Sequence, residues 1–186
     1  MNTEKLFQTV AYILYRNDDE MDYYNLIKEC YIADRKSIEK TGHSITGDNY
    51  VSMNRGPVLK NLYSFIKNNN TDKTVQAKWN EYFSVDDKHK IRVLKTDISD
   101  EYLSRFEESV LNEVCQKFYK YSYQDMKNYA HSAGVFPEWE PVEKGVEKIL
   151  TMHSIMSALK IPENEIQILL EEQKVFEQEA ALFQSN

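Results

Sequence analysis

The amino-acid sequence predicts a mainly α, α+β fold: a single compact helical domain with a small β-hairpin and a C-terminal helical extension. Three observations carry this expectation. Apolar residues recur every three or four positions through most of the chain, the period of helices buried on one face. The period shortens to two only between residues 78 and 95. With 186 residues, 41% of them hydrophobic, the chain can bury one core, and no internal repeat divides it.

Leu6, Val10, Ile13 and Leu14 mark a first helix over 3–16, with Thr3 as its cap and Glu4 at the positive end of the helix dipole. After an acidic turn at 17–20, Tyr23, Leu26, Ile27, Cys30 and Tyr31 form a stripe that ends in Asp34, so a second helix turns this face to a core. The pattern breaks over 41–50, where Gly42, Gly47 and small polar residues describe an ordered loop that Asp48 can hold by bonding back to nearby amides. Gly56 and Pro57 are expected to open a third helix, with Leu59, Leu62, Tyr63 and Ile66 on its buried face. Trp79 to Phe83, a polar tip at 86–89, and the alternation around Ile91 and Val93 predict the hairpin. Ser99, with Asp100 and Glu101 behind it, is expected to start a long helix carried by Leu103, Phe106, Val110, Val114 and Phe118. Ser122-x-x-Asp125 reads as a capping box for a short helix that stops at Gly134. A corner at Pro137-Glu138-Trp139-Glu140-Pro141 precedes two last helices, one from about Val142 through Met156 and one from Pro162 through Phe183.

Composition excludes several classes of function. A net charge of -7 argues against a protein held on nucleic acid or an anionic membrane by bulk attraction. No apolar run reaches the ~20 residues that span a bilayer, and Glu4 interrupts the place of a signal-peptide core, so a cytoplasmic protein is expected. Cys30 and Cys115 lie among apolar neighbours, which favours packed, reduced thiols. Phosphate-cradling, dinucleotide, zinc-protease, paired-cysteine and nucleophile-elbow motifs are missing. His43, His89, His131 and His153 have no second ligand at i+3 or i+4, so no metal or other cofactor is expected; His131 and His153 are expected as hydrogen-bonded packing residues and His89 as an exposed one. A nucleophilic set can be drawn from Cys30 or Ser44, His43 or His131, and Asp34 or Asp48, but such sets can be drawn in almost any chain of this size, and no catalytic residue is expected.

Four blocks in order carry a stronger signal: Tyr31-Ile32-Ala33-Asp34; the stretch from Thr41 to Tyr50; Gly56-Pro57-Val58 with Leu62-Tyr63; and Tyr129-Ala130-His131 with Pro137-Glu138-Trp139. Together they resemble the signature of the Panacea, or SocA-like, antitoxin domain of bacterial and phage toxin–antitoxin pairs. The blocks and their surroundings run from about residue 6 to 141, which sets the expected boundaries: 1–141 as the antitoxin domain and 142–186 as an extension packed on it or used for partner binding. The resemblance implies a mostly helical domain with a small β element. It also implies a non-enzymatic protein that neutralises a cognate toxin by binding it; occlusion of the toxin's active site is the expected mode. Toxins of the family include small alarmone-synthetase-like enzymes, other translation inhibitors and membrane-active proteins. A toxin that works on RNA or a nucleotide would have a basic active site. Some members act instead as adaptors that deliver the toxin to an AAA+ protease. A homodimer or a heterotetramer with the toxin fits the same picture. A DNA-binding regulator is a further alternative, opposed by the net charge and the missing helix-turn-helix pattern.

In this reading Asp34, Gly42, Ile45, Gly47, Asp48, Tyr50, Gly56, Pro57, His131 and Trp139 are marks of the family and build the domain. Partner specificity is expected in the extension, because charge is uneven along the chain. Residues 55–95 carry nine Lys or Arg against four acids, whereas residues 163–186 carry six Glu against Lys174 alone. An acidic amphipathic helix with Ile166, Leu169, Leu170 and Phe176 as anchors and Glu171, Glu172 and Glu179 beside them could lie across a basic site on a toxin.

Overall fold

The computed structural model describes residues 2–95 and 98–184, without the side chains of 176, 177 and 179–184. Eight helices and six strands are present among them, the strands in two small antiparallel sheets. The mainly helical α+β expectation is met.

The fold is arranged around one helix. α1 (Thr3–Tyr15) is capped by the Asn2 side chain, which accepts from Lys5 N, so the cap falls one residue before the expected Thr3. β1 (Glu20–Asp22) leads into α2 (Tyr23–Thr41), where the Asp22 carboxylate accepts from Tyr24 N and Gly42 closes the helix in the left-handed region. Thirteen of the nineteen residues of α2 are buried, far more than one stripe. The helix is central, with α1, α5 (Arg105–Phe118), α6 (Tyr123–His131) and the hairpin β2 (Tyr50–Met53) and β3 (Gly56–Leu59) packed about it.

Several expected elements move. Gly56 and Pro57 lie in β3, paired with Met53 and Ser52, and the third helix, α3 (Lys60–Ile66), starts only after it. Gly56 has φ +113°, which no helix start allows, and Pro57 is tolerated because β3 is an edge strand. Trp79 to Tyr82 are helical: α4 (Lys73–Tyr82) is capped by Asp72, and only β4 (Phe83–Val85) and β5 (Lys90–Val93) form the hairpin, joined by β1 in the order β1-β5-β4. The aromatic composition there mimics a strand, yet Val75, Trp79 and Tyr82 keep helical spacing. Ser99 does not begin a helix. Ser104 does, in a capping box with Glu107. The second predicted box, Ser122 with Asp125, forms as expected, although α6 already ends at His131, before Gly134.

The expected helix over 142–156 is replaced by β6 (Lys148–Leu150) and a short α7 (Met152–Ala158) capped by Thr151. β6 pairs with β2, giving a second sheet β3-β2-β6. Val146 and Ile149, which shaped the helical pattern, are exposed. α8 (Glu163–Gln184) closes the chain and packs on α7.

The core runs through both sheets and α7 into the start of α8. At one end Phe65 stacks on Trp79 at 5.4 Å, with Phe7 edge-on to both. Each such ring pair adds about 1 kcal/mol to area burial. At the other end Ile155, Met156 and Ile166 are fully buried. Cys30 and Cys115 are free and buried, in line with the sequence.

Candidate functional site

The signature residues cluster where α2 meets the 43–49 loop and the β2–β3 hairpin. Asp34, fully buried, holds that loop by accepting four hydrogen bonds: Ile45 N and Thr46 N at 2.9 Å, Thr46 Oγ1 at 2.5 Å and Tyr50 OH at 2.8 Å. Burial pushes its carboxyl up to about 6 against the downward pull of these donors. Asp48 works on the other side. Its carboxylate accepts from Asn61 N and Leu62 N at 3.0 Å, the free amides of the first turn of α3, and from Asn61 Nδ2 and Asn49 N. Leu59, at the cap position of α3, offers no side-chain bond, so Asp48 caps the helix from eleven residues upstream. Ile45 is buried beneath the loop and Gly47 sits exposed at its turn.

The corner at 137–139 is fastened to the same frame. Glu138 accepts from Tyr31 OH at 2.7 Å and from Arg35 Nε at 2.8 Å, while Trp139 Nε1 donates to Met53 O at 2.8 Å. The His131 ring lies 5.0 Å from that of Trp139 on an exposed residue, with partial desolvation and the nearby Lys127 and Lys28 lowering its pKa. His153 is exposed too, bonded to Glu163 and Ser157 rather than packed inside. Glu138, the buried partner of two α2 side chains, was legible only as part of a Pro-Glu-Trp string. Nothing in its spacing announces a contact with residues more than one hundred positions away.

Two buried charged residues escaped the sequence reading altogether. Lys28 is 1% exposed and donates to Pro57 O at 2.6 Å, and burial draws its amine down to about 7. A Cβ at Gly56 would sit 2.7 Å from Lys28 Nζ, which, with the positive φ, explains the glycine. Glu29 is fully buried, and among the described residues neither carboxyl oxygen has a hydrogen-bond partner of normal geometry. Burial pushes it up to about 8, against a weaker pull from Asn17. Neighbours on a helix point about 100° apart, so the two cannot pair with each other.

Of the residues considered for nucleophilic chemistry, Cys30, Ser44, Asp34 and Asp48 are engaged otherwise. Cys30 is fully buried, and burial raises its thiol well above the ordinary value. The Asp34 oxygens are occupied by the loop. Among the described residues no group of His, Cys, Asp and Glu is arranged to hold a metal ion, and no helix is long and apolar enough to cross a membrane.

α8 is seated on the end of α2. Leu169 fills the space beside Gly42, where a Cβ would lie 2.4 Å from Leu169 Cδ2, and Gln173 Nε2 donates to Gly42 O at 3.2 Å. Ile166 is buried, and Leu169 and Leu170 are partly buried against the core. These three expected anchors thus face the protein's own interior. Glu171 and Glu172 are exposed, as a rim would need; the side chains of Phe176 and Glu179 lie outside the described residues. Among the described residues, the large apolar groups α8 presents to solvent are Ile168 and Val175, which the sequence reading passed over. Beside α8 an open groove of about 900 Å³ runs between the 43–51 segment and β6, with Lys60, exposed Ile149 and Gln173 on its walls.

Searches of curated proteins and of solved structures return no match. A family model does match, described as "Antitoxin SocA-like, Panacea domain", over residues 26–140, and all ten signature residues fall inside that span. The matched span is well over half of the chain, and the protein therefore belongs to the SocA-like, Panacea-domain antitoxin family.

Proposed function

We propose that the protein is an antitoxin that neutralises a cognate protein toxin by direct binding, without catalysis, occluding the toxin's active site. Membership of the antitoxin family over residues 26–140 carries this reading. The deployment of the buried polar residues supports it: Asp34, Asp48 and Glu138 spend their bonding capacity on holding loops, as a scaffold requires.

The binding surface we assign is the outer side of α8 together with the adjoining groove. Ile149 is 76% exposed and Ile168 55%, and Glu163, Glu165, Glu171 and Glu172 on α8 are exposed, negative charge that suits a basic active site. The division of labour follows, with residues 1–141 as the scaffold and 142–186 supplying much of the contact.

The test is a growth assay in which the neighbouring open reading frame is induced alone and then with this protein, followed by co-purification. Toxicity relieved by co-expression, with a stable complex, is expected. Ile149→Asp and Ile168→Asp should each weaken rescue while the protein melts as before, since both side chains are exposed. Rescue with falling toxin levels and no complex would indicate delivery to a protease; no toxicity would remove the basis for the reading.

A further inference from the structure

Away from α8, where β1, α2, the β2–β3 turn, α3, the β4–β5 turn and α6 converge, the protein has an open-mouthed cavity of about 500 Å³. Its walls are rich in aromatic rings: Tyr23, Tyr24, Tyr63 and Tyr123 contribute, with the Tyr24 and Tyr123 rings edge to face at 5.0 Å. Lys28 belongs to the lining at its buried end. Of the three N–H bonds of its ammonium form, one is met by Pro57 O, and the Tyr24 ring 5.1 Å away attracts the charge; no acceptor meets the other two among the described residues.

The charges at this site lean one way. Arg55 and His89 stand at the opening, and among the described residues Arg55 has no carboxylate partner. Lys67, just outside, lies 4.3 Å from the centre of the Tyr23 ring and donates to its hydroxyl. The one carboxylate of the lining, Asp22, is already engaged as the cap of α2. Aromatic walls, unanswered donors at the deep end and a free guanidinium at the mouth form a site that lacks an acceptor. Its volume is that of a small-molecule site, and its tyrosine walls can hold an aromatic ring by offset and edge contacts.

We propose that this cavity binds a small aromatic anion, a single planar ring bearing a carboxylate or phosphate, with the acidic group set toward the Lys28 amine and the Arg55 guanidinium. The site is separate from the surface assigned to the toxin, and its test does not depend on that assignment.

Pyridoxal 5′-phosphate is a suitable probe, since it is a planar aromatic anion that also carries an aldehyde. At neutral pH the Lys28 nitrogen adds to the aldehyde carbon, the carbonyl oxygen leaves as water, and borohydride hydride converts the C=N bond into a stable secondary amine. The full chain is treated with an equimolar amount, reduced and mapped by peptide mass spectrometry. At neutral pH an amine near 7 is about half neutral while surface lysines are almost wholly charged, so Lys28 should be labelled on the order of a hundredfold more than any of them. Excess benzoate or phenyl phosphate should protect it, and Arg55→Ala should cut labelling about tenfold, the worth of one charge-assisted contact. Label confined to surface lysines, in protein with native near-ultraviolet circular dichroism, would overturn the proposal. So would Lys28 labelling that ignores both competitors and the Arg55 substitution, because the amine would then be reactive without an anion site around it.

Discussion

At the scale of single residues, the signature positions are those whose removal leaves several partners unsatisfied at once. Asp48→Ala would strip acceptors from Asn61 N, Leu62 N and Asn49 N together and uncap α3. A loss of about 3 kcal/mol is expected, measured by urea denaturation. Lys28 and Glu29 behave oppositely, because each is a buried group that the fold holds against its preferred charge. Glu29 is raised from 4.5 to about 8, so the folded state binds more protons than the unfolded state between these values, and stability falls as pH rises through that window. Lys28 is lowered from 10.5 to about 7, so its cost is complete below 7 and fades as pH rises toward 10.5. Their combined penalty is greatest near pH 7 to 8. Glu29→Gln removes one half, and its advantage over the parent should grow by about 3 kcal/mol between roughly pH 5 and pH 8 in urea titrations. A pH-independent difference would show that Glu29 is ionised throughout. Asp48 was legible because Gly, Thr and Asn around an acid announce a bonded loop, and Asp34 as the end of the α2 stripe and a mark of the family. Lys28 and Glu29 were not, because burial on every side of α2 is a property of what packs around it, and a lone Lys-Glu pair inside a helix usually reads as solvated.

At the scale of elements, the sequence identified helices wherever caps and periodicity agreed, as at Ser122 with Asp125, and misplaced them where one signal stood alone. Pro57 has the right chemistry for a helix start but sits at a strand edge; Val142 to Ile149 has helical spacing without a core to face. Pairing partners such as β2 for β6 are almost one hundred residues distant, and local pattern cannot supply them. The seat of α8 on Gly42 is of the same kind: the glycine was recognisable as a left-handed turn, but not as the socket for Leu169. Gly42→Ala meets both obstacles, and should cost about 2 kcal/mol and speed amide exchange in residues 166–170. Gly134→Ala, where a Cβ would meet nothing within 4 Å, should cost about 1 kcal/mol and leave that exchange unchanged. Shortening Leu169 to Ala in the Gly42→Ala background should recover part of the loss, a coupling that only direct contact gives.

At the scale of the whole molecule, the stretch matched by the family model and the physically cooperative body differ in extent. The match ends at residue 140, yet β6 completes the sheet on β2 and Ile155, Met156 and Ile166 are as buried as any residue of α2. This matters for testing the proposed toxin surface, because removing the acidic tail would remove core along with any contacts it makes. A chain ending at Pro162 loses the burial of Ile166 and part of that of Leu169 and Leu170, worth about 4 kcal/mol together. Against a total stability of about 5 to 15 kcal/mol, that is enough to deplete the folded protein in a cell. Loss of neutralisation by such a truncation would therefore say little about contact. The paired substitution Ile168→Asp and Val175→Asp separates the two effects, since both side chains are more than half exposed. It should leave the urea midpoint within about 0.5 kcal/mol of the parent, while the truncated chain unfolds at markedly lower urea. If the truncated chain instead unfolds with the parent, α8 lies outside the cooperative unit and can leave its seat on Gly42. Ile166, Leu169 and Leu170 would then be free to reach a partner.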